Sequence, residues 1–140
     1  MDTIFTILLW LHFVALGLAG AASFGLPVVG AAMGKSPQAQ LALGGVIKRL
    51  TMIGRGAVVA LIVTGVAMIG LRYGGSALPM AFNIKMALLV VLLGLMIYGP
   101  MNGKRAMAGD AAAQARVATL GMAGMTVYVL IILCAILAFA

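Results

Sequence analysis

Four long apolar segments dominate this sequence and leave few options for its fold. The first runs from about Ile4 to Ala32, the second from about Gly56 to Leu71, the third from about Ala81 to Gly99, and the fourth from about Val117 to Phe139. With its flanks, each supplies the roughly 20 residues that a helix needs to cross a bilayer. The runs are continuous and do not alternate with period two, which excludes a transmembrane β-barrel. Composition agrees. The chain is 65% hydrophobic with a mean hydropathy of +1.25, and only 8% of its residues are charged, against about 25% in a soluble domain. The expected fold is all-α: a polytopic membrane protein, a four-transmembrane-helix bundle, with residues 1–140 as a single domain.

The connections are short and carry helix signals. Ser36 followed by Pro37 is a cap and a first-turn proline, so the second helix is expected to begin there, ahead of the membrane, with possible bends at Gly44-Gly45 and Gly54. "LRYGGSALP" reads as a short turn and "GPMNGKRAMAGD" as a loop, with Asp110 capping a fourth helix that also starts early. Pro27 is expected to kink or end the first helix. The N-terminal segment has no positive region and carries Asp2, so it reads as a retained first span rather than a signal peptide.

Charge sets the expected orientation. Lys35, Lys48, Arg49 and Arg55 lie between the first two spans, and Lys104, Arg105 and Arg116 between the last two. The positive-inside rule makes both connections cytoplasmic. The expected location is the bacterial inner (cytoplasmic) membrane, multi-pass, with both termini periplasmic. A net charge of +7 beside apolar spans points to membrane lipids as partners, and not to nucleic acid. Small residues recur at Gly17, Ala21 and Gly25, at Gly70 and Gly74, and at Gly121 and Gly124. Such spacings allow close helix packing within the bundle, in a homodimer or in a larger membrane complex.

Few polar residues lie at membrane depth. His12 is the only histidine and falls on the outer side of the first span. Lys85 enters the third span from that same side, and Arg72 and Tyr73 close the second there, with Trp10 and Asn83 nearby in depth. Intramembrane ionisable groups usually face a bundle interior. The alternative is that Lys85 snorkels, that Trp10, Tyr73 and Arg72 anchor at the interface, and that His12 is a neutral core residue. On the base-rich side Arg55, Tyr98 and Thr51 form a second group, and Thr126 and Tyr128 sit midway along the fourth helix. Eleven methionines raise Cu(I) as a ligand class, although scattered methionines are ordinary packing residues. The lone Cys134 excludes an internal disulfide. One histidine excludes a bis-histidine haem within the chain, and spans without acids exclude a carboxylate relay.

Three segments together, "LLWLHFVALGLAGAASFG", "IKRLTMIGRGAVVALIVTGVAMI" and "FNIKMALLVVLLGLMIYG", resemble the superfamily of small membrane proteins that contains HemJ-type protoporphyrinogen oxidases and the CopD copper-resistance domain. The resemblance covers about residues 8 to 100. It implies haem b as cofactor, with His12 and Lys85 as signature residues and Arg49 or Arg55 as the second-helix base. Where the family commonly has a histidine after the third-helix tyrosine, Tyr98 is followed by Gly99, which removes a second ligand.

Three readings follow. In the first, a haem or porphyrin sits in an outer-leaflet site, with His12 as metal ligand and Lys85 and Arg72 facing its carboxylates, and redox chemistry is a possible activity. In the second, the chain is a non-catalytic accessory or assembly subunit of a larger membrane complex. In the third, it handles copper with His12 and methionines such as Met86. Whether the chain is an enzyme stays open at this point.

Overall fold

The computed structural model describes residues 3–74 and 80–139, and every element in them is helical. Four helices follow one another: α1 (Thr3–Met33), α2 (Pro37–Tyr73), α3 (Met80–Met107) and α4 (Ala111–Phe139). All four are long and apolar enough to span a membrane. The protein is therefore a multi-pass membrane bundle. At about 1.5 Å per residue the helices measure roughly 40–55 Å, against about 30 Å of hydrocarbon. Each one extends past the bilayer core, α2 the furthest.

The helix starts follow local chemistry. Ser36 adopts an extended conformation, its Oγ accepts the Ala39 N–H at 3.1 Å, and Pro37 opens α2. Asp110 Oδ1 accepts the Ala113 N–H at 3.0 Å and starts α4. Gly74 closes α2 with φ +49°, a conformation that a Cβ would strain. The rest of the expected "LRYGGSALP" turn, residues 75–79, lies outside the described residues, as do Asp2 and the side chain of Tyr73.

One expectation from the sequence is corrected. The stretch "GPMNGKRAM" is not a loop: α3 continues through Pro100 to Met107, and the turn shrinks to Ala108–Asp110. Tertiary bonds explain the extension. The buried Asn102 donates to the Ala113 carbonyl at 2.9 Å, and Gln114 donates to the Ala106 carbonyl at 3.0 Å, so α4 holds this segment against α3. Of the two outcomes expected at Pro27, a helix end does not occur: α1 runs on to Met33, close to the expected limit of the first span. The Pro27 ring lies against Gly121 of α4, where a Cβ would stand only 3.0 Å from it. A neighbouring helix thus supports the proline, as membrane helices commonly do. Nor is α2 interrupted at Gly44-Gly45 or Gly54.

The helices pair as two antiparallel hairpins, α1 with α2 and α3 with α4, joined through α1 against α4. Small residues make the α1 seams. Ala15, Ala19 and Ala22 are buried, and a Cβ on Gly54 of α2 would meet the Ala22 Cβ at 2.8 Å. Tyr128 of α4 bolts the hairpins together. Its ring rests over Gly20 and edge-on to Phe24, with centroids 6.1 Å apart, and its hydroxyl donates to the Leu16 carbonyl. Of the expected small-residue strip, Gly25 meets Leu50 and Gly121 meets Pro27, whereas Gly17 and Gly70 meet nothing within 4 Å. By contrast α2 and α3 approach closely at isolated points at most. A cleft separates them on the side of the bundle that would face lipid.

Candidate functional site

His12 lies one turn N-terminal to the buried Ala15 of α1 and is half-buried. The antiparallel α1–α2 pairing, set by Ala22 against Gly54, brings Thr64 of α2 to the same level. His12 Nδ1 and Thr64 Oγ1 stand 2.7 Å apart. Thr64 is buried, at 6% exposure, and its hydroxyl donates to the Ala60 carbonyl at 2.6 Å. A threonine hydroxyl has one proton. With that proton on Ala60, the bond to the ring is donated by His12 Nδ1–H. In that arrangement Nε2 would carry the lone pair, as it does in metal-binding histidines with a hydrogen-bond partner on Nδ1. Gly65 lies beside the ring: a Cβ there would come 3.6 Å from His12 Cε1. An alanine there would make an ordinary van der Waals contact with the imidazole.

Lys85 is half-buried on α3, and its level in the bundle follows from the α2–α3 register. Gly54 lies beside Met96, so counting back along antiparallel helices brings Lys85 level with Thr64 and Gly65. His12, Thr64 and Lys85 thus come from α1, α2 and α3 to one level of the bundle. The remaining sequence candidates separate from them. Arg72 sits with its guanidinium carbon 5.4 Å from the centre of the Phe5 ring, a cation–π pair. It lies about two turns beyond Thr64 along α2. Trp10 is 64% exposed and Asn83 is exposed, so both face outward. Thr126 is exposed as well, and Tyr128 is a core residue rather than a cavity wall. At the other end Tyr98 accepts from Arg116.

Sequence reasoning missed Thr64. Its signal was present, as a hydroxyl within the otherwise apolar "ALIVTGVAMIG". A threonine can satisfy itself on its own helix, so only the partner helix reveals that it also holds a histidine. Among the described residues no group of three or more His, Cys, Asp or Glu side chains could hold a metal. Any metal here would depend on His12 Nε2 and on ligands of its own. Of the groups a haem would need, His12 could offer one imidazole nitrogen as an axial ligand and Lys85 an ammonium for a carboxylate. Space at this level is not an enclosed chamber, because the cavity between α2 and α3 lies nearer the base-rich end.

The sequence matches no protein-family model, and neither a curated protein nor a solved structure shows significant similarity to it.

Proposed function

We propose that the protein binds haem or a related porphyrin at the His12–Lys85 level of the bundle, in the bacterial inner membrane with both termini periplasmic. The observation that carries this reading is the His12 Nδ1–Thr64 Oγ1–Ala60 carbonyl chain, which leaves Nε2 free. Lys85 supports the reading because no acidic residue is available within the spans to neutralise it: the chain has only Asp2 and Asp110. A ligand carboxylate is the partner of matching charge. Arg72, held over Phe5, guards the same side of the bundle but does not share the level of His12. When bound, haem would supply one-electron chemistry. The chain's own part is to coordinate through His12, to orient that ring through Thr64, to neutralise a carboxylate through Lys85 and to exclude water with its apolar helices.

The experiment is the visible spectrum of the purified protein, as isolated and after haem titration. A Soret band that is lost in His12→Ala is expected. Lys85→Met should weaken retention without loss of helix content. Thr64→Val should lower haem affinity by about 10–100-fold, the usual effect of removing the group that orients a metal-bound histidine. A colourless wild type that titrates with no spectral change overturns the reading. If it then carries stoichiometric copper, His12 with methionines is the site. If it carries no metal and co-purifies with other chains, a non-catalytic subunit of a membrane complex takes its place.

A further inference from the structure

The α2–α3 cleft has a second end. Near the base-rich turns it widens into a cavity of about 160 Å³ lined by Arg55, Val58 and Val59 of α2 and by Leu93, Met96 and Ile97 of α3. Five of these six side chains are apolar and one is a permanent cation. Arg55 is exposed at the cleft mouth, whereas Val58 lies buried against the bundle. The two walls continue past the cavity toward the turns. Lys48 lies two helical turns from Arg55 on the same stripe of α2, and Lys104 lies two turns from Ile97 on the same stripe of α3. Both are exposed. Arg55 therefore borders the apolar slot, with Lys48 and Lys104 about 10 Å further toward the turns.

Among the described residues no free carboxylate stands beside them. The chain has nine bases and two acids. Of the acids, Asp110 is engaged at the start of α4. The cleft opens sideways, between helices whose outward faces are apolar, so its natural contents come from the bilayer and not from water. An occupant must present hydrocarbon to Val59, Leu93 and Ile97 and a negative group to Arg55. Planar guanidinium recognition of phosphate meets the second demand, and basic pockets between transmembrane helices bind anionic headgroups in this way.

We infer that the α2–α3 cleft is a binding site for an anionic phospholipid, with an acyl chain in the slot and its phosphate on Arg55, and with Lys48 and Lys104 further toward the turns. The lipid fills the one helix–helix boundary that the bundle leaves loosely packed. This site does not depend on any ligand at His12, and its test is separate.

The test is native mass spectrometry of the full chain in detergent, titrated with phosphatidylglycerol and, separately, with phosphatidylcholine of the same acyl chains. Preferential retention of phosphatidylglycerol is expected. Arg55→Gln should weaken it about fivefold, the usual effect of one base at a membrane surface. Lys35→Gln, which lies on the α1–α2 turn away from the cleft, should leave it unchanged. Val59→Trp, or Leu93→Trp if the first variant loses helix content, should fill the slot and displace both lipids. Glycerol phosphate at equal concentration should not compete. Equal retention of the two lipids overturns the inference. So does an equal loss in Lys35→Gln and Arg55→Gln, which would mean diffuse attraction. Unchanged binding in a folded slot-filling variant, or competition by glycerol phosphate, would leave a headgroup site without a chain and overturns it too.

Discussion

Gly54→Ala is expected to loosen the α1–α2 hairpin, and the size of the effect follows from one distance. The new Cβ would stand 2.8 Å from the Ala22 Cβ, whereas carbon atoms rest at about 3.5–4.0 Å. The helices must therefore separate by about 1 Å at this point. Ala22 has no rotamer with which to yield, and it is 4% exposed. Overpacking of this kind costs about 1–3 kcal/mol. Alanine's better helix propensity returns up to about 1 kcal/mol. The net expectation is a loss of roughly 1–2 kcal/mol, a factor of about 5–30 in the unfolding equilibrium. The assay is unfolding in mixed micelles followed by circular dichroism, repeated in Ala22→Gly and in the double variant. Exchanging the two residues restores the space, so the double variant should recover most of the loss, giving a coupling energy well above the about 0.5 kcal/mol expected of independent sites. Because His12 and Thr64 lie on the same two helices, their 2.7 Å bond should also weaken, and any haem affinity with it. A Gly54→Ala protein as stable as wild type, or a double variant that merely sums the two single effects, would refute the close approach.

Two further outcomes are expected. A Cβ at Gly20 would meet the Tyr128 hydroxyl oxygen at 2.8 Å and ring carbons at 3.2 and 3.3 Å, so Gly20→Ala should destabilise the α1–α4 contact, and adding Tyr128→Phe should relieve part of that loss; an identical loss in both backgrounds would show that the ring is not seated there. A cysteine at Gly103, half-buried near the base-rich α3–α4 turn, should react with permeant but not impermeant thiol reagents added from the periplasm in a Cys134→Ser background. Labelling by the impermeant reagent would invert the proposed topology.

The four spans were legible in the sequence because the bilayer demands length and apolarity from each helix separately. The starts of α2 and α4 were legible for a similar reason. Ser36-Pro37 and Asp110 act on backbone groups within three residues of themselves, so no partner is needed to read them. The end of α3 was not legible. Gly99, Pro100 and Gly103 are helix breakers locally, and the segment stays helical because Asn102 and Gln114 bond across to the neighbouring helix. The depth of His12 and Lys85 could be counted along the chain, since rise per residue is constant. Rotation about the helix axis could not. Every face of these helices is apolar, so no polar stripe marks which side turns inward. Only helix packing decided that Trp10 faces out while His12 meets Thr64, that Arg72 turns to Phe5, and that Gly20 and Gly54 rather than Gly17 and Gly70 receive close neighbours.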